Sequence, residues 1–209
     1  MKKLLLAFLA SCATIPTPAP SPSPEPTPSM TPTPLSGLSW EQDHPERAAW
    51  SKALQDLLTA KRSSFAKAKD AKFFCPPFQF LSDDQKLQVW SEIIVWTAFF
   101  ESSWNPTEAD VDVGSDDDRD TWSIGLMQMS VVDQESYGFP FGFSYDDLLK
   151  PAPNLQLAVA IMAKQIEKKG VIVLTKPDSS VYWATLFVGG RYDESDSIAA
   201  HVKKLSFCH

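Results

Sequence analysis

A carboxyl group closes a strongly apolar run in this 209-residue chain. From Leu87, positions 90, 94 and 98 hold Trp, Ile and Ala, one stripe of a helix, and the stripe continues to Glu101. Pro106 disfavours helical backbone at Asn105, so Glu101 falls at or near the last turn. Partial burial and the negative end of a helix dipole both disfavour the charged form, and both raise the pKa of Glu101. A carboxyl still protonated near neutral pH is what a general acid for glycoside cleavage needs. The alternative is a Glu simply exposed after its helix. Gly125-Leu126-Met127-Gln128 follows downstream and, taken alone, reads as a core turn with Leu and Met buried. Between the two, Glu108 to Asp120 holds seven acids against Arg119 alone, a net charge of −6. That stretch is either solvated surface, a cleft wall, or a source of hard oxygen ligands for calcium from Asp110, Asp112, Asp116 and Asp118. Its spacing fits no EF-hand, since Gly114 is misplaced and no Glu closes the loop.

Taken together and in this order, Glu101-Ser102 and Gly125 to Gln128 resemble the superfamily of soluble lytic transglycosylases and goose-type lysozymes. The resemblance covers roughly residues 85–195. It implies a mainly α, lysozyme-like helical domain with a small β element. It also implies that Glu101 is the catalytic acid and that Ser102, Gly125, Met127 and Gln128 contact the sugar strand. The substrate implied is the peptidoglycan glycan strand. The Tyr-Asn-x-Gly segment usual in the family's last part is missing: the nearest stretch runs Ala184 to Tyr192. Tyr192 is the expected substitute ring, with Tyr182 as the other candidate. Asp118-Arg119 is similar to an Asp-Arg pair of goose-type lysozymes, which makes Asp118 a possible water-activating carboxylate. A further Asp of many goose-type enzymes is replaced by Ser130. A lytic transglycosylase needs only one carboxyl, because the muramic acid's own hydroxyl attacks and a 1,6-anhydro end forms. An inverting hydrolase needs a second carboxylate ~6.5–9.5 Å from the acid. The partial Asp-Arg match tips the reading toward hydrolysis. The rival classes are a silent glycan-binding module and a purely structural wall lipoprotein.

The elements that must position these residues are helical. Residues 46–72 place Trp50, Leu54, Leu57, Leu58 and Phe65 at amphipathic spacing. Ser82 with Gln85 three residues on is a capping-box signature for the helix that carries Glu101. Asn154 opens a third helix, with Leu155, Ala158, Met162 and Ile166 on one face and Gly170 as its stop. Val181–Val188 and Ile198–Leu205 are shorter helical candidates, and Ser123–Met129 a short β element.

The N-terminus reads as an address. Lys2 and Lys3 precede a short apolar run, far below the ~20 residues of a membrane-spanning helix. It ends Leu9-Ala10-Ser11-Cys12, which resembles the lipobox of bacterial lipoproteins and implies residues 1–11 as signal and Cys12 as the lipidation site. The alternative is an ordinary signal cut nearby. Ala13 after the Cys points, by the lipoprotein sorting habit, to the outer membrane facing the periplasm. Nine of the seventeen prolines lie between Pro16 and Pro34, so residues 12–35 form a linker. In extended polyproline form it reaches on the order of 60 Å. The catalytic domain then spans 36–209. With Cys12 lipidated, Cys75 and Cys208 remain in an oxidising compartment, either as a disulfide or as two buried thiols.

Composition sets the outer bounds. A net charge of −7 argues against a nucleic-acid partner, which would need a basic face. Seven Trp and thirteen Phe supply a core and exclude a wholly disordered chain. Three scattered His and three Cys give no obvious zinc site, so no metal or cofactor is expected. A monomer is expected, touching a membrane only through its lipid. Residues 36–209 keep 17 bases and 25 acids, a net charge of about −8. An acidic enzyme facing a carboxylate-rich wall suggests a preference for glycan whose N-acetyl groups have been removed, since such strands carry ammonium groups.

Overall fold

Capping chemistry sets the longest helix. In the computed structural model, which describes residues 37–111, 118–175 and 182–209, the Ser82 hydroxyl accepts from Gln85 N (3.3 Å) while Gln85 Oε1 accepts from Ser82 N (2.9 Å). The capping box is complete, and the signature read from sequence stands. Four helices come first: α1 (Ala48–Ala60), α2 (Arg62–Phe65), α3 (Ala71–Phe74) and α4 (Asp83–Ser102). β1 (Ala109–Asp110) and β2 (Ser123–Ile124) pair antiparallel. Then follow α5 (Asp133–Ser136), α6 (Tyr145–Leu148) and α7 (Pro151–Lys169). β3 (Leu174–Thr175) lies parallel to β4 (Phe187–Val188), and α8 (Ser195–Val202) comes last. The fold is mainly helical with few strands, as expected.

The core surrounds α4. Trp90, Ile94 and Ala98 of the stripe read from sequence are buried, and so are Val89, Ile93 and Val95 beside it. α4 packs on α1 and α8, and α7 packs on α1, α2 and α6. Buried Glu92 on α4 accepts from Ser39 N (3.0 Å) and Ser39 Oγ (2.7 Å), which ties the turn at Ser39–Glu41 to the central helix. Cys75 and Cys208 form a disulfide, Cα atoms 4.8 Å apart, across 133 residues.

Three expectations need correction. The single helix over 46–72 is broken after Ala60 and Phe65. Tertiary pairing pulls the chain aside: Lys69 N donates to Gly170 O (2.8 Å), and the Asp70 carboxylate accepts from Ile172 N and Val173 N. The third helix starts at Pro151 rather than Asn154, since proline fits a first turn whose N–H groups have no intrahelical partner. The candidate helix at Val181–Val188 is a 3-10 turn at Ala184–Leu186 followed by β4. Val181, the signal, Cys12 and the linker lie outside the described residues. Among the described residues no helix is long and apolar enough to cross a membrane.

Candidate active site

Glu101 sits one residue from the end of α4, half-buried. Burial pushes its carboxyl up to about 6, while the Thr185 hydroxyl, donating to Oε1 at 2.7 Å, pulls the other way and loses. Thr185 is buried on the 3-10 turn that replaced the expected helix. Sequence reading missed it. The bond spans 84 positions, and no local spacing announces it.

The helix stops earlier than Pro106 requires. Ser103 (φ +53°) and Trp104 (φ +59°) both adopt left-handed backbone, and Ser103 N caps onto Phe99 O at 2.7 Å. The Trp104 indole folds back to Val95 O (2.7 Å). Two consecutive non-glycine residues in this region are costly and persist only where surrounding contacts fix them.

Ser102 links the helix end to the second motif. Its buried hydroxyl lies 3.0 Å from Ala98 O and 2.9 Å from Leu126 O. Both partners are backbone carbonyls of the protein, so Ser102 joins the two motifs. Ile124 and Met129 exchange backbone hydrogen bonds at 2.9 Å, and residues 125–128 are the tight loop between them. Gly125 is required here: φ is +72°, and a Cβ would stand 2.3 Å from Leu148 O and 2.5 Å from Asn154 Nδ2. Gln128, also left-handed at φ +48°, donates from Nε2 to Gly125 O (2.9 Å) and is 9% exposed.

Fully buried Asn154 organises this loop. Nδ2 donates to Ile124 O (2.7 Å) and Leu148 O (2.9 Å), and Oδ1 accepts from Met127 N (2.9 Å). The Trp183 indole donates to Met127 O at 3.0 Å. Met127 is fully buried and held on both backbone sides. Asn154 was placed on the right helix from sequence, but as its opener; nothing in the spacing marked it as the residue that pins the loop.

Asp118 is exposed and caps the 3-10 turn Arg119–Thr121, accepting from Asp120 N at 3.1 Å. The Arg119 guanidinium lies 4.8 Å from the Tyr145 ring centroid. Asp112, Gly114, Asp116 and Asp117 lie outside the described residues. Among the described residues no group of three or more His, Cys, Asp or Glu is placed to hold a metal. The base of the acidic stretch is nonetheless fixed beside the loop, because β1 pairs with β2 and Gly125 N donates to Glu108 O at 2.7 Å. Tyr192 is 59% exposed and has the Arg191 guanidinium over its ring. Tyr182 is the tyrosine joined to the segment after Gln128: its hydroxyl bonds the Asp133 carboxylate and accepts from Ser130 N (3.3 Å). Burial and Asp133 raise the Tyr182 pKa well above the usual phenol value.

This arrangement can deliver one proton from a desolvated carboxyl beside a rigid loop. The family described as Transglycosylase SLT domain matches residues 79–184, just over half of the chain. Three solved structures of one protein, titled Bd0314 DslA, superpose with a TM-score of 0.71. The wild-type form is 25% identical, over 83% of this chain and 98% of that one. The other two, titled as glutamate-to-glutamine mutants, are 26% identical over 82% of this chain and 97% of that one. No curated protein matches the chain.

Proposed function

The chain belongs to the transglycosylase SLT domain family, whose members act on peptidoglycan as lysozyme-like enzymes, and from that premise we propose that it is a muramidase with Glu101 as general acid. It cleaves the β-1,4 bond between N-acetylmuramic acid and N-acetylglucosamine. The observation that carries the reading is the acidity of Glu101: at about 6 it is protonated often enough near neutral pH to give its proton to the leaving oxygen. The loop from Gly125 to Gln128, fixed to the same helix end through Ser102, walls the strand. In lysozyme-type hydrolysis a carboxylate of the acidic stretch, with Asp118 the first candidate, activates water on the opposite face. Loss of turbidity of purified peptidoglycan, abolished in Glu101→Gln, tests the enzyme against a silent binder.

A second reading has its own support. Among the described residues the acidity of Glu101 is set by burial and Thr185, with no second carboxylate acting on it. Single-carboxyl chemistry, with the muramic hydroxyl as nucleophile and a 1,6-anhydro end as product, needs no more. Mass spectrometry of the digest separates a reducing end from an anhydro end.

The acidic stretch supports a substrate preference. Its Glu108 end is held to Gly125 and its Asp120 end to Ser130 and Val132, and it carries a net −6 between Glu108 and Asp120. Ammonium groups on de-N-acetylated sugars would meet those carboxylates. Each exposed pair contributes only ~0–1 kcal/mol, so several must act together. Faster cleavage before than after chemical re-acetylation of one preparation is expected; equal cleavage rejects the preference. The enzyme works in the cell envelope, tethered through a lipid on Cys12 and the linker over 12–35. Metabolic labelling with a fatty-acid analogue, lost in Cys12→Ser, checks the tether.

A further inference from the structure

A group of the domain's bases gathers at the end of α4 far from Glu101. Leu87 and Trp90 on α4 lie eleven to fourteen residues before Glu101, about 16–21 Å along the axis. There α4, α2 and the segment around α3 enclose a cavity of about 620 Å³. Such a volume suits a ligand of small-peptide size. Its apolar wall includes Leu58, Phe78, Leu87 and Trp90. Its charged wall includes Lys69, Lys72 and Lys86. Arg62 also lines it but is matched by Asp83 at 2.6 Å. Against the three lysines stands only Asp84, so the wall keeps a surplus of two positive charges in a domain of about −8. Among the described residues none of these lysines is in an ion pair, and Lys86 Nζ stands 6.0 Å over the Phe78 ring. Next to this wall in sequence, Phe80 is 81% exposed.

Unpaired ammonium groups above an aromatic and aliphatic floor suit an anion with a small apolar body. A bare phosphate would use the lysines and leave the floor idle. A short peptide with free carboxylates and methyl side chains uses both. We propose that this cavity is a second, non-catalytic site that binds the carboxylate-bearing stem peptides of peptidoglycan. The choice of ligand rests on the muramidase reading. Two parts of the domain then hold different parts of one polymer: the Glu101 end of α4 takes the sugars, and the lysines at the far cavity face the peptides.

The test uses the full chain carrying Glu101→Gln, so that binding is read without cleavage. A soluble tetrapeptide of stem composition is titrated and followed through the Trp90 indole N–H signal. Saturable binding is expected. Lys72→Glu combined with Lys86→Glu should weaken it about tenfold, and each single substitution should weaken it part of the way. Lys168→Glu, an equal charge change outside the cavity, should leave the affinity unchanged. The inference falls if no saturable binding occurs, if the cavity variants bind as the parent does, if Lys168→Glu loses as much, or if inorganic phosphate binds and the peptide does not. The parent chain's lysis of peptidoglycan is measured separately. Lysis without peptide binding overturns this inference alone, and absence of lysis overturns the muramidase reading.

Discussion

On Glu101, burial and the Thr185 hydroxyl act on one proton in opposite directions, and burial wins. A general acid must be protonated, so kcat/KM should fall as pH rises through about 6, and a pH–rate profile checks it. Thr185→Val removes the influence that lowers the pKa while keeping the shape. The alkaline limb of that profile should therefore move to higher pH. Glu101→Gln should cost ~10²–10⁴-fold in lysis. The same substitution should change stability with a defined sign. The folded pKa of about 6 lies above the ordinary 4.5, so the folded state holds this proton more tightly than the unfolded chain. Its contribution is full below 4.5 and is lost as pH rises through about 6. At pH 7 the parent thus carries a penalty of up to about 2 kcal/mol that the Gln variant escapes. Denaturant melts should show the variant more stable at pH 7 and level with the parent near pH 4. A gain that persists at pH 4 would deny burial as the cause.

Elements decide how well the Gly125–Gln128 loop is held. Asn154→Ala removes three buried hydrogen bonds and leaves their partners unmet, and should destabilise by about 3 kcal/mol in urea melts. Gly125→Ala forces a side chain onto Leu148 O at positive φ and should cost at least as much. An Asn154→Ala chain as stable as its parent would show that the loop holds itself. What sequence could reveal here follows from range. The Ser82–Gln85 box is a contact across three residues, and the apolar stripe of α4 is one helix's periodicity, so both were legible, as was the β element near residue 123. The break in the 46–72 helix was not, because Asp70 is engaged by backbone N–H groups about a hundred positions away. The turn bearing Thr185 was hidden similarly: the apolar pattern of 181–188 suits a helix, and pairing of Phe187 with Leu174 overrules it. Ser102 and Met127 were found as motif members, yet only tertiary contacts reveal that they brace the loop from inside.

Across the whole molecule, the Cys75–Cys208 bridge closes a span of 133 residues. In the chain-entropy picture, opening it with Cys75→Ser and Cys208→Ser should cost ~3–5 kcal/mol, measured as a drop in the denaturation midpoint. An unchanged midpoint would mean that packing of α8 on α4 already fixes the chain's end. The bridge also determines what a protease can achieve. Glu101, Gln128 and Thr185 all lie between the two cysteines, so one cut anywhere in that span yields two pieces still covalently joined. A nicked molecule would migrate as a single particle without reductant and as two fragments with it. Its halves stay at an effective concentration set by their link, in the millimolar range for short tethers, far above any free concentration in dilute solution. A nicked enzyme should therefore keep lysing purified walls and stop only when a thiol is added. Tolerance of a single backbone cut is thus written into the covalent topology.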